Sequence, residues 1–305
     1  MRSLGTLYAA AVTPLTRDDR LDLDAVTPLL AHLHAAGCDG AVLAGTTGEG
    51  PSLTLKERTA LLECALAVRP AGLRLIAGTG CNEIANTLAL TRRAFELGAD
   101  GVLILPPYFY RKATVDGLRD YFRRVLHEAV PTGARVLLYH IPQVTGIAIG
   151  NDLITALLRE FSDRLLGVKD SQGDRAHTLD WCRRFRSLNV FVGHDQLLAD
   201  ALGVGAAGAI LASANVFAPL ARALLDAHSR GEDTTDRQTR LDAVRTLMDT
   251  VSAPPAYKAL LAELYELPAR GRPWPVRLPL VPLSAGARTA LTAAAQELMT
   301  IPPHD

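Results

Sequence analysis

Leu165-Leu166-Gly167-Val168-Lys169-Asp170-Ser171 is the stretch on which the reading of this chain turns. An apolar run ends there on a lysine and passes at once into a polar turn, Asp170-Ser171-Gln172-Gly173-Asp174. A lysine so placed sits at the C-terminal end of a buried strand, with its stem out of water. Burial disfavours the ammonium form of such a lysine, and the neutral amine is a nucleophile. The plainer alternative is a strand-end lysine that snorkels to solvent, and the stretch alone does not choose between the two.

Outward from it, short apolar runs alternate with longer amphipathic segments. Strands are predicted over 7–12, 40–44, 73–77, 102–105, 135–139, 165–169, 190–192 and 209–212. Helical spacing fills the intervals at 23–36, 55–68, 82–97, 115–128, 151–160, 175–185 and 196–202, and Thr54-Leu55-Lys56-Glu57 reads as a capping box. Eight near-even β/α units, with strands apolar throughout, predict an α/β fold of the closed parallel (β/α)8 barrel type rather than an open doubly wound sheet. Beyond about residue 215 the alternation stops, and 219–229, 236–251, 255–266 and 284–299 read as helices, with a proline-rich connection over 267–282. The expected organisation is a barrel over 1–215 followed by a C-terminal helical extension over 216–305.

Composition narrows the function. The 32 basic and 32 acidic residues cancel, so no electrostatic footprint for nucleic acid or an anionic membrane is visible. No apolar run of spanning length and no leader pattern occurs, and Cys38, Cys64, Cys81 and Cys182 show no paired spacing. These point to reduced thiols and a cytoplasmic setting. Only four lysines are present, Lys56, Lys112, Lys169 and Lys258, and Lys169 alone ends a strand.

In a barrel of this kind the chemistry lies at the C-terminal ends of the strands. Those ends carry Thr13-Pro14, Thr46-Thr47, Gly78-Thr79-Gly80, Tyr108 and Tyr110, Tyr139, Lys169, Gly193-His194, and Ser213 with Asn215. Gly45-Thr46-Thr47-Gly48-Glu49 offers two hydroxyls and several backbone N–H groups in one turn, which suits a small carboxylate, or equally an ordinary loop satisfying its own backbone. Tyr139 is either a half-polar core residue or a phenol that relays a proton beside Lys169. Amine, phenol and carboxylate nest together make a Schiff-base site.

The motifs Gly45-Thr46-Thr47-Gly48-Glu49, Tyr139-His140-Ile141-Pro142 with Thr145-Gly146, Gly167-Val168-Lys169-Asp170, and Gly208-Ala209-Ile210 with Ala214-Asn215 resemble those of the dihydrodipicolinate synthase / N-acetylneuraminate lyase family of pyruvate-handling class I aldolases. The resemblance covers nearly the whole chain. It implies a (β/α)8 barrel with a C-terminal helical part, assembled as a homotetramer or homodimer, with no cofactor beyond a covalent imine through Lys169. It implies that Lys169 binds the ketone of pyruvate or another 2-oxo acid and that Tyr139 shuttles the proton. Thr46, Thr47 and Gly48 would hold the carboxylate, with Thr47 supporting the relay, and Ile210 and Gly193 would line the pocket. In the family a tyrosine from the strand-four loop crosses to a neighbouring subunit. Here Phe109 stands at the aligned position between Tyr108 and Tyr110, so the relay falls to one of these two tyrosines, with Tyr110 the catalytic candidate and Tyr108 a substrate contact. The synthases also carry an arginine two residues after the proline of the strand-five motif, where this chain has Val144. An aliphatic residue cannot clamp a carboxylate. Cleavage or formation of a 2-oxo-4-hydroxy acid, with pyruvate and an aldehyde as partners, is therefore expected ahead of 4-hydroxy-tetrahydrodipicolinate synthase activity. A 2-keto-3-deoxy sugar acid or 4-hydroxy-2-oxoglutarate would fit, and dehydration of a deoxy-oxo sugar acid is the remaining family alternative.

Rival chemistries fare worse. His140, His194 and Asp195 could bind a divalent cation, but no paired ligand spacing accompanies them. Gly203-x-Gly205-x-x-Gly208 matches a dinucleotide pattern in the wrong context, since a strand follows it. Cys81 borders the mouth but fits a buried inert thiol. A non-enzymatic oxo-acid sensor would not need Lys169, Tyr139 and the threonine pair together.

Overall fold

The computed structural model describes residues 5–300. Eight strands, β1 (Leu7–Ala10), β2 (Gly40–Leu43), β3 (Arg74–Gly78), β4 (Gly101–Ile104), β5 (Val136–His140), β6 (Leu165–Asp170), β7 (Asn189–Val192) and β8 (Gly208–Leu211), close into a barrel in sequence order. Every neighbouring pair is parallel, including β1 with β8. Parallel neighbours require crossovers, and these are α1 (Val26–Ala35), α2 (Leu55–Val68), α3 (Ile84–Glu96), α4 (Val115–Ala129), the short α5 (Pro142–Thr145) with α6 (Asn151–Phe161), α7 (Arg175–Arg184) and α8 (Leu198–Leu202), while α9 (Ala214–Ser229) follows the last strand. α10 (Thr235–Met248), α11 (Ala253–Tyr265) and α12 (Ala285–Thr300) follow. No helix among the described residues is long and apolar enough to cross a membrane.

The strands are apolar on both faces because both are covered. Outward residues meet the helices. Inward residues Tyr8, Val42, Ile76, Leu103, Leu137, Tyr139, Phe191 and Ile210 form a separate cluster inside the barrel. Such a cluster fills the barrel as a packed core rather than a pore. Tyr139 pairs in register with Lys169, and Lys169 with Phe191, so all three side chains point inward at one level. Two residues below Lys169, Gly167 makes that level possible. A Cβ there would lie 2.3 Å from Asn189 O and 2.7 Å from the Leu137 side chain.

Helix boundaries shift for local reasons. The expected helix at 23–36 begins only at Val26, because Pro28 lacks an N–H and fits only in a first turn. The helix expected from 219 starts at Ala214 and bends at Phe217, two residues ahead of Pro219. α9 packs over β1 and β8, so it belongs to the ring of helices around the barrel. All four cysteines are unpaired thiols.

The capping box forms as expected. The Thr54 hydroxyl accepts from Glu57 N at 3.2 Å, and the Glu57 carboxylate accepts from Thr54 N at 2.8 Å. Glu57 has a second task, since its carboxylate also pairs with Arg277, whose guanidinium reaches Asp19 and Ser52 O as well. The Arg277 hydrogen bond is the main cause that pulls the Glu57 carboxyl down to about 2. A carboxyl depressed on folding stabilises the fold above its ordinary range near 4.5 and loses that contribution as pH falls towards about 2. Glu57→Gln keeps the cap and removes the charge. It is expected to lower the melting temperature at pH 7 by roughly 2 °C, the pair being partly solvated, and to lose its difference from wild type near pH 2. A pH-independent difference in thermal scans would refute the linkage.

Candidate active site

β6 delivers Lys169 to the mouth of the barrel. Its side chain is 5% exposed, and Nζ lies 3.4 Å from Tyr139 OH and 4.4 Å from the centre of the Tyr139 ring. Tyr139, 4% exposed on β5, passes the contact on, its hydroxyl being 3.4 Å from Thr46 Oγ1. Amine, phenol and hydroxyl thus form a chain across β6, β5 and the loop after β2. These separations are long for hydrogen bonds, and sites of this kind tighten when substrate fills them.

The loop after β2 is tightly built. Glu49 N donates to Thr46 O at 3.1 Å and Gly50 N to Gly45 O at 2.9 Å. Thr13 Oγ1 donates to Gly48 O at 2.6 Å, and Arg58 Nε to Gly50 O at 2.9 Å. Ala44 and Glu49 flank the turn at φ 53° and 54°, left-handed conformations that cost a residue with a Cβ roughly 1 kcal/mol or more each. Thr47 is buried beside Thr46. The Glu49 carboxylate turns away from the mouth, towards Lys258 on α11 at 2.5 Å and the Arg277 backbone N–H at 2.8 Å.

The remaining sequence candidates fall into two groups. Ile210 lies in the barrel interior on β8, paired with Tyr8. Gly193 follows β7 and donates its N–H to Asp170 O at 2.7 Å. A Cβ on Gly193 would fall 1.9 Å from Ser171 Oγ, so only glycine lets the two loops meet. Tyr108 and Tyr110 stand apart from Lys169. Tyr108 is half-buried, its phenol raised by that burial, and its backbone N–H is held by Asn82 Oδ1 at 2.8 Å. Tyr110 and Phe109 are 77% and 73% exposed and pack edge to face on one another. Val144, on α5, is 56% exposed. Arg111 packs on Gly146 at the end of α5, close enough that a Cβ on Gly146 would sit 2.9 Å from Arg111 Nε.

Behind Lys169 lies a polar cluster that spacing did not disclose. Among the described residues, His140, Asp170 and His177 bring ligand atoms within 4.8 Å of one another, whereas His194 and Asp195 do not join them. His140 Nδ1 accepts the Ile149 N–H at 3.0 Å, so Nε2 carries the proton that bonds Gln172 Oε1 at 2.6 Å, and neither nitrogen has a free lone pair for a metal. Burial lowers the His140 pKa, in keeping with a neutral ring. Burial alone would raise the Asp170 carboxyl, but hydrogen bonds from His177, Thr178 and Gln172 N outweigh it and hold it low. This cluster is a hydrogen-bonded wall that fixes the ends of β5 and β6. Asp195 is paired with the Ser213 hydroxyl, and burial raises its carboxyl. Gly208 of the glycine-rich run lies within β8, as its strand context requires.

Two residues escaped sequence reasoning, one of them although a signal existed. Lys258 interrupts the apolar run Ala256-Tyr257-Lys258-Ala259-Leu260-Leu261-Ala262, and a lone lysine in such a run calls for a buried partner. Arg58 lies inside a helix, where its turn towards Gly50 and Gly80 carbonyls leaves no pattern.

With this geometry in view, comparison with known proteins is specific. A family model described as the dihydrodipicolinate synthetase family matches residues 3–298. The chain is 42% identical over 294 residues to a protein of Chloroflexus aurantiacus described as an uncharacterized DapA-like lyase, with 96% of each covered. It is 34% identical over 296 residues to the 4-hydroxy-tetrahydrodipicolinate synthase of Kineococcus radiotolerans, covering 96% of this chain and 92% of that one. Among solved structures, a prophage protein of E. coli K12 in the dihydrodipicolinic acid synthase family, in complex with pyruvate, matches with a TM-score of 0.87. That match is at 26% identity and covers 97% of this chain and 99% of the other. The chain therefore belongs to the dihydrodipicolinate synthetase family, and it is a lyase of the class I aldolase type.

Proposed function

We propose that the enzyme cleaves, and in reverse forms, a 2-oxo-4-hydroxy acid through an imine on Lys169, releasing pyruvate and an aldehyde. The observation that carries this reading is the buried Lys169 amine lying 3.4 Å from the Tyr139 hydroxyl at the barrel mouth. Nζ attacks the C2 carbonyl, water leaves, and the protonated imine becomes an electron sink. Tyr139, left as a phenolate after giving its proton to the departing water, takes the proton of the C4 hydroxyl as the C3–C4 bond breaks, the aldehyde departs, and the electron pair rests in an enamine. Protonation at C3 and hydrolysis then free pyruvate and restore the amine. Thr46, Thr47 and Gly48 are assigned to the carboxylate, and Ile210 and Gly193 to the pocket wall. Tyr108 and Tyr110 belong to this site only as contributions from a second copy, because within one chain Tyr110 is solvent-exposed.

Val144 supports an aldolase over a synthase, since it offers no charge to a second carboxylate. One observation favours the second reading. Arg111, lying against Gly146 at the end of α5, brings a guanidinium from the loop after β4 to the segment that carries Val144. Incubation with pyruvate and borohydride tests the imine, and a covalent adduct with turnover indifferent to EDTA is expected. Lack of any adduct would sink the proposal. A panel of 2-oxo-4-hydroxy acids scored for released pyruvate, run beside condensation of pyruvate with an aldehyde that carries a carboxylate, separates aldolase from synthase.

A further inference from the structure

Lys258 is fully buried on α11, and its ammonium donates to two acceptors: Glu49 Oε1 at 2.5 Å and Pro275 O at 2.6 Å. Burial lowers the pKa of this lysine, and the Glu49 carboxylate opposes that effect. Apolar side chains of similar volume would pack α11 against the barrel at least as well as two desolvated charges do. What an ion pair adds is a fixed register for the group it holds. That group is Glu49, the last residue of the turn that bears Thr46 and Thr47. Its second carboxylate oxygen is held by Arg277 N at 2.8 Å, and its backbone is in the left-handed region, as is that of Ala44 at the start of the turn. Neither residue is a glycine, so both conformations are costly and need to be held from outside. The Glu49 side chain is the handle by which they are held.

We propose that Lys258 is a positioning residue for catalysis: through Glu49 it sets the Thr46–Thr47 turn so that Thr46 Oγ1 meets the Tyr139 hydroxyl. The helices after the barrel thereby become part of the catalytic apparatus, acting from behind the loop. This rests on the imine reading of Lys169, and the test separates the two.

Lys258→Met removes the ammonium but strands a buried carboxylate, so the double variant Lys258→Met/Glu49→Gln is made beside it. Hydrogen exchange is followed in segment 44–50 and in β5 and β6, and active sites are counted by borohydride-trapped pyruvate. In the double variant the exchange of segment 44–50 is expected to rise by about tenfold while β5 and β6 stay protected. Turnover per counted site should fall by roughly 10- to 100-fold with the KM for the oxo acid changed by less than about threefold, since the loss is in the transition state. Lys258→Arg should recover part of it. Unchanged exchange in 44–50, a rise shared equally with β5 and β6, or wild-type turnover per site would each overturn the positioning role. A wild type that takes no pyruvate adduct would instead dispose of the imine reading, and the exchange measurement would still decide whether Lys258 holds the turn.

Discussion

Replacing Lys169 with alanine is expected to abolish the borohydride-trapped pyruvate adduct and to lower turnover on the order of 10^4-fold or more, since no other group takes over covalent catalysis. The other lysines do not replace it. Lys258 is locked to Glu49 behind the loop, and Lys56 and Lys112 lie on the second helix and the loop after β4. The fold should survive. The substitution empties a space beside Tyr139 and Phe191 but also removes an amine from a buried position, and the two effects oppose each other. The checks are intact-protein mass after reduction, steady-state rate, and melting temperature. An adduct of wild-type yield in a folded Lys169→Ala protein would place the nucleophile elsewhere.

Tyr139→Phe separates covalent chemistry from proton transfer. The ring that lies under the Lys169 amine stays, and only the hydroxyl joining Lys169 to Thr46 goes. The pyruvate adduct should therefore still form, more slowly, while turnover drops by about 10^2- to 10^4-fold, the range for a lost general acid–base group. Because the hydroxyl's bonds are long in the unliganded protein, the stability cost should be below about 1 kcal/mol. Single-turnover trapping against steady-state rate makes the comparison. Equal losses in adduct formation and turnover would mean that Tyr139 serves imine formation alone; no loss in either would remove it from the mechanism.

The parts of the molecule that sequence reasoning reached are those governed by short-range pattern. All eight strands are found within a residue or two of expectation, because a parallel barrel strand is apolar on both faces and is interrupted at once by its loop. Lys169 was legible for the same reason, as a charge at the end of such a run. Its partnership with Tyr139 was legible only through the barrel, since register between β5 and β6 places them side by side across 30 residues. The His140–Asp170–His177 wall was not, because each member looks like the polar stop after a strand or the first turn of a helix. Least legible was the link from Glu49 to Lys258, 209 residues on, and to Arg277 beyond it. No periodicity spans such a distance, and only the apolar neighbours of Lys258 betray it.

The closure of β1 on β8 has a consequence for the birth of the molecule. Ala9 and Tyr8 find their partners in Leu211 and Ile210, and the side chain of Asn215 then ties Val12 N and Ala10 O across more than 200 residues. A ribosome makes the chain from the other end. Until β8 has left the exit tunnel, the first strand keeps an open flank of backbone donors and acceptors, and so does each newest strand in turn. Two-thirds of synthesis passes with two sticky margins that exist in no finished molecule. Aggregation during expression should accordingly be governed by elongation rate and chaperone supply, while the completed barrel, having no edge, is indifferent to both.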